Sequence, residues 1–289
     1  DSSCVEYLGD AFPAVWPDFG PGVLAAFLGA DAEPATGTVW FRPKEEKEIS
    51  DIHFEYDPEN VWLKRVKEIC RIAMDRWEGL VQVAMTDLGG NLDVLSTFRP
   101  GEKLLTDLVD YPDEVKRLTM EEHRAWWRCF EDIDSILRTK NPGYTAWCPI
   151  FSETPYYMLQ CDFAYMIGPK MFDEFVKPEL TETCRKLSNP FYHLDGVGQL
   201  PHLDSLLSIP NLKGVQWVPG AGKPQGEEWP DVYRRIFAAG KRSEFVGDWR
   251  NFDKLVDKLG TADGFVMFVS VPKEQRREAE AFLKRYGAI

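Results

Sequence analysis

The chain has 289 residues, of which 44% are hydrophobic, 13% aromatic and 28% charged, a balance that supplies a large core and excludes disorder over most of its length. Its 34 Lys and Arg against 47 Asp and Glu leave a net charge of −13, which opposes nucleic acid and anionic membrane surfaces and points to a small molecule or a protein as partner. No apolar run approaches the ~20 residues that span a bilayer. The opening Asp1-Ser2-Ser3-Cys4 carries neither an initiating Met nor a basic-then-apolar leader, so the sequence is read as soluble and as lacking an N-terminal segment, and its scattered cysteines suit reduced thiols in a cytoplasm.

Along the chain, residues 14–16 and 38–41 have strand character, as early strands or as insertions, and residues 80–86 form a clearer strand. Asp87-Leu88-Gly89-Gly90-Asn91 follows, with Asp93 and Arg99 just beyond. A long helix is expected over residues 113–140, carrying Val115, Leu118, Trp126, Cys129, Ile133 and Ile136, and a strand over 144–150. Gly168-Pro169 opens a helix with Phe172, Phe175 and Val176 at helical spacing; Pro in the first turn loses nothing by lacking an N–H. Residues 190–195 read as a strand stopped at Gly196, residues 202–209 as a short helix, and 212–217 as a strand ended by Pro219-Gly220. Trp229-Pro230 opens a helix stopped at Gly240, and residues 244–248 form a strand. Phe252, Leu255, Val256 and Leu259 stripe a helix closed by Gly260. A strand over 264–270 and a last helix with Ala279, Phe282, Leu283 and Tyr286 inward complete the pattern.

Successive strand-helix units imply parallel strands, because each return needs a crossover. The count approaches eight, which favours one (β/α)8 TIM barrel over residues 1–289 against an open doubly wound sheet, whose GxGxxG or GxxxxGK[ST] turn is missing. The six cysteines, Cys4, Cys70, Cys129, Cys148, Cys161 and Cys184, form no CxxC pair; they are expected as reduced thiols, and any metal must be held by mixed ligands.

Barrel active sites lie at the C-terminal ends of the strands. That rule selects Thr86 and Asp87, Gln160 and Asp162, His193 and Asp195, Gln216 and Trp217, and Asp248. His193 and Asp195 stand two apart on one strand and therefore share a face. Such a pair can act in acid-base chemistry or ligate a metal, with Asp162 or His202 as the third ligand; otherwise His193 bonds a neighbouring backbone group and Asp195 caps a turn. Asp87 and Asp93 suit either turn chemistry or catalysis. Arg99 is a candidate carboxylate clamp and Trp217 a flat wall for a ring-bearing substrate, with Gln160 and Gln216 as further substrate contacts. His53 and His123 are expected at the surface. No Gly-x-Ser-x-Gly elbow or HExxH motif is present.

The stretch from Leu80 to Arg99, Leu104-Leu105-Thr106-Asp107, Tyr111-Pro112-Asp113-Glu114-Val115, Cys161-Asp162-Phe163, Ile167-Gly168-Pro169-Lys170-Met171-Phe172-Asp173-Glu174-Phe175 and Tyr192-His193-Leu194-Asp195-Gly196 resembles the uroporphyrinogen decarboxylase superfamily, as a divergent branch. That superfamily includes corrinoid-dependent methyltransferases of anaerobic metabolism. The resemblance implies a TIM barrel. The Arg-Gln-Ala-Gly-Arg segment of the decarboxylases is missing. The methyltransferases hold zinc through a His-x-Cys on this strand and a later Cys; here His193 matches the His, Asp195 stands at the Cys, and no Cys follows Cys184.

The resemblance implies a methyltransferase acting on a small methoxy or similar methylated substrate. It would work with a corrinoid carried on a separate protein and a divalent metal such as zinc held by His193, Asp195 and Asp162. His193, Asp195 and Asp87 are then the expected catalytic residues. The alternatives are a decarboxylase or lyase of a small carboxylate, with Arg99 binding the acid, and a barrel that binds a ligand without catalysis.

Overall fold

In the computed structural model, which describes residues 5–289, the first strand is β1 (Ala14–Val15), followed by the buried helix α1 (Leu24–Phe27). An antiparallel hairpin of β2 (Asp31–Ala35) and β3 (Thr38–Arg42) forms its own two-stranded sheet, so residues 38–41 belong to an insertion. Next comes α2 (Val61–Arg76), which buries Leu63, Val66, Cys70, Ala73 and Met74 at helical spacing. Its N-cap Asn60 accepts from the backbone N–H groups of Trp62 and Leu63 at 2.9 and 3.1 Å.

Strand β4 (Gln82–Val83) pairs in parallel with β1 and leads through the Asp87-to-Gly90 turn into α3 (Asn91–Phe98), then α4 (Lys103–Asp110) and α5 (Pro112–Leu137). The long helix α5 matches its expected span closely, with Pro112 at its start, Asp113 and Glu114 favouring the positive end of its dipole, and Val115, Leu118, Trp126 and Ile133 buried. The strand expected over 144–150 is reduced to isolated bridges, Met85 to Ala146 in parallel and Tyr144 to Ser152 antiparallel. Pro149 cannot donate to a ladder, and the chain doubles back instead.

From β5 (Tyr156–Gln160) onward the alternation is regular. Helix α6 (Pro169–Met171) runs through a π turn at Phe172–Val176 into α7 (Lys177–Lys186). Pro178 explains the wide turn: its ring clashes with the carbonyl four residues back and has no N–H to give it. The order continues β6 (Asn189–Asp195), α8 (Leu203–Leu207), β7 (Gly214–Val218), α9 (Pro230–Ala238), β8 (Arg242–Phe245), α10 (Phe252–Leu259), β9 (Phe265–Met267) and α11 (Arg276–Arg285). Strands β5 to β9 make one five-stranded parallel sheet in chain order. The strand expected over 244–248 starts two residues earlier and stops at Phe245.

The protein is thus an α/β fold on a parallel sheet flanked by helices. Leu159, Leu194, Trp217 and Phe245 are buried in the core, and the alternate positions carry polar groups. The five cysteines among the described residues, Cys70, Cys129, Cys148, Cys161 and Cys184, are free and buried, as expected for reduced thiols; Cys4 lies outside the described residues. No helix among the described residues is long and apolar enough to cross a membrane.

Candidate active site

Register across the sheet sets the site. Gln160 stands opposite His193, His193 opposite Gln216, and Gln216 opposite Glu244, so one polar row crosses β5 to β8. Residues on the same row of adjacent parallel strands point the same way, and here their side chains meet. Gln160 Nε2 donates to the Asp87 carboxylate at 3.2 Å. His193 Nδ1 contacts Gln216 Oε1, and Gln216 Nε2 donates to Glu244 Oε2 at 2.8 Å. Cys148 Sγ donates to the same Glu244 oxygen at 3.0 Å. The edge of Trp147 closes on the His193 ring, with centroids 5.5 Å apart.

At the C-terminal end of β6, His193 Nε2 lies 3.9 Å from Asp195 Oδ2. Asp162, at the start of the turn after β5, completes a trio: one ligand atom each from Asp162, His193 and Asp195 lie within 4.8 Å of one another. Burial pulls the Asp162 carboxyl upward; His193 opposes that shift, Asp195 adds to it, and the nearby Gln199 side chain opposes it. The backbone after Asp195 must pass close to Tyr165, since a Cβ on Gly198 would fall 2.4 Å from that ring. Gly196 takes φ +84° to make the turn.

Two further carboxyls sit behind the trio. Asp87 accepts from the Gly89 N–H at 2.9 Å as well as from Gln160, and burial pushes it up to about 6. Asp93 accepts from the N–H groups of Asp162 and Phe163 at 2.8 and 2.7 Å, pinning the turn that presents Asp162; burial and the neighbouring Asp162 push it up to about 7. Asp87 thus shows the expected turn chemistry at Gly89, whereas Asp93 holds a turn some 70 residues away in the sequence, and burial raises both carboxyls.

Several expected positions lie elsewhere. Trp217 is fully buried and meets Trp229 edge to face at 5.4 Å, so it packs away from the polar row to which its neighbour Gln216 belongs. Arg99 is buried and committed: Nε and NH2 donate to Asp107 at 2.5 and 2.9 Å and NH1 to the Lys47 carbonyl at 2.6 Å. It is an internal ion pair, not a clamp held open for substrate. His202 stacks on Phe172 and contacts the Ala164 carbonyl at 2.9 Å, apart from the trio. Asp248 receives the Arg250 N–H and its guanidinium. Thr86 donates to the Pro17 carbonyl at 2.6 Å.

His53 is exposed as expected, but His123 is buried in the helix layer, 2.9 Å from Glu179 Oε1. Glu244, Cys148 and Gln199 are site residues that the sequence reading passed over. Glu244 carried a usable signal, an acidic residue between Ser243 and Phe245 in a strand, the same incongruity that exposed His193.

No family model matches the sequence, and no curated protein matches it. Among solved structures, the fold is similar to that of a methyltransferase from Methanosarcina mazei, with a TM-score of 0.64 over 94% of this chain and 80% of that one, at 13% identity.

Proposed function

We propose that the chain is a single-domain (β/α)8 barrel enzyme that removes a methyl group from a small methoxy or similar substrate and passes it to a reduced corrinoid on a separate protein. In this reading β1, β4 and residues 144–148 continue the sheet of β5 to β9 round to eight strands. The observation that carries the proposal is the trio of Asp162, His193 and Asp195, one ligand atom from each within 4.8 Å of the others at the strand ends. The methyltransferase fold of the structural neighbour adds support.

Two oxygens and one imidazole nitrogen suit a hard or borderline divalent cation such as zinc or manganese better than a soft one. Bound there, a cation would polarise the substrate heteroatom as a Lewis acid. The rest falls to the chain's own groups. Asp93 fixes the backbone that presents Asp162. Asp87, pushed up to about 6, keeps its proton to a higher pH than an ordinary carboxyl and can release it to the departing heteroatom, which would keep the electron pair of the broken bond to carbon; a docked reduced corrinoid would supply the pair that takes up the methyl carbon. Tyr165 and Met166, both 55% exposed beside Asp162, offer an apolar rim to the carrier protein.

The site also weighs against the decarboxylase alternative. Arg99 is taken by Asp107, and the charged groups acting on Asp87, Asp93, Asp162 and Glu244 are His193 and other carboxylates. A small carboxylate would meet repulsion there; a neutral or cationic methyl donor would not.

The test combines metal analysis of the purified protein with a spectral assay, in which reduced corrinoid and a panel of methylated compounds are mixed with the protein and the cobalt bands followed. Methylation that requires the protein and falls with chelator is expected. Carbon dioxide release from a carboxylate panel, with no change in the cobalt bands, would replace this reading with the decarboxylase.

A further inference from the structure

We infer that Glu244 and Gln216 are positioning residues that fix the His193 tautomer: the proton is held on Nδ1, inside the sheet, and the Nε2 lone pair is presented at the mouth. The inference rests on the proposed function only for what Nε2 then binds.

The chain of reasoning starts at Glu244. Glu244 Oε2 accepts from both Cys148 Sγ at 3.0 Å and Gln216 Nε2 at 2.8 Å, so that oxygen carries no hydrogen of its own, and the two donors oppose the upward pull of burial on the carboxyl. Donation from Nε2 fixes the amide of Gln216, since its other end must then be the carbonyl oxygen. That oxygen faces His193 Nδ1, which must therefore carry the hydrogen. A neutral imidazole has one N–H, so Nε2 is left as an acceptor, and Nε2 is the atom that faces Asp195 Oδ2 at 3.9 Å.

Burial makes the arrangement stringent. Gln216 is 7% exposed and Glu244 5% exposed, so water does not compete freely for either. Reversing the Gln216 amide would set its oxygen against the Glu244 carboxylate and its NH2 against an imidazole N–H, two repulsive contacts in place of two hydrogen bonds. The edge of Trp147 against the His193 ring and the register of β6, β7 and β8 keep the imidazole and the amide facing one another. Metal-ligating histidines are commonly oriented by a carboxylate or carbonyl on the second ring nitrogen. Here the carboxylate acts one residue further away, through an amide whose direction it dictates.

The experiment is long-range proton-nitrogen correlation NMR on the full chain labelled at histidine nitrogen. The sequence has only four histidines, and the signals missing in His193→Gln identify the ring of interest. The expected result in the unsubstituted protein is a protonated-type Nδ1 and an acceptor-type Nε2, the reverse of the tautomer favoured by free imidazole side chains. Glu244→Gln frees the amide to turn and is expected to shift His193 towards the Nε2–H form. In a parallel titration with Co2+, the same substitution should weaken binding by about 10- to 100-fold.

An Nε2–H tautomer in the unsubstituted protein overturns the inference, and needs no variant other than the one used for assignment. An unchanged tautomer in Glu244→Gln overturns the role of Glu244. Failure of Co2+ to bind the unsubstituted protein would count against the proposed metal site alone, because the tautomer is read without metal.

Discussion

Asp93 shows how much one side chain can govern at this site: it ties α3 to the turn after β5 and is raised to about 7 by burial and by Asp162. The sign of the consequence follows from proton counting. Between about pH 4 and 7 the folded protein keeps a proton on Asp93 that the unfolded chain releases, so this contribution is complete at low pH and is lost as pH rises through 7. Without metal, melting temperature is expected to fall between pH 5 and pH 8, and Asp93→Asn to flatten that fall by roughly 2–4 kcal/mol. Parallel pH profiles for the two proteins would refute it. At the trio itself, His193→Ala or Asp195→Asn should leave melting within a few degrees while removing metal content or turnover; full activity in both would dismiss the site. Arg99→Ala, by contrast, leaves Asp107 buried without its partner and should cost about 3–5 kcal/mol in a denaturant titration. The pairing of His193 with Asp195 was legible in the sequence because strand periodicity is two. The same rule, applied to Gln216 and Trp217, sets Trp217 on the opposite face, which is why the tryptophan lines no pocket. His123 was obscured by its charged neighbours Glu121 and Glu122, although helical spacing aligns it with the buried Thr119 and Trp126.

Elements were readable where their stop signals are chemical. Gly240 and Gly260 end α9 and α10 with φ of +70° and +79°, and Pro230 starts α9, as the sequence indicated. The first half was harder, because β1 and β4 are two residues long and no periodic signal survives at that length. Turns there are fixed by contact across the fold. Gly89 has φ +67°, and a Cβ on it would fall 2.6 Å from the Gly22 Cα, so two loops touch backbone to backbone. Gly222 has a similar φ of +72° with open space around it. Gly222→Ala is therefore expected to cost about 1 kcal/mol of backbone strain, and Gly89→Ala at least about 2–3 kcal/mol. Equal losses in thermal melts would show that the close approach of the loops carries no weight.

Over the whole molecule, the thiols report on integrity. Cys70 and Cys129 are pushed up to about 12 by burial, which suppresses the thiolate as well as access. A disulfide-exchange reagent should react slowly with the folded protein and label the five described cysteines promptly once denaturant is added; a bridge among them found by mass spectrometry would contradict the structure. The order of strands also bears on how the chain is made. Strands β5 to β9 each pair with the next to leave the ribosome, so that sheet can be laid down as it is synthesised. Ala14 must wait for Gln82, about 70 residues and, at ~5–20 residues per second, roughly 4–14 s later. Through that interval β1 lacks the partner it has in the structure, which gives the nascent stretch from β1 to β4 a need for a holding chaperone that the sheet of β5 to β9 does not share.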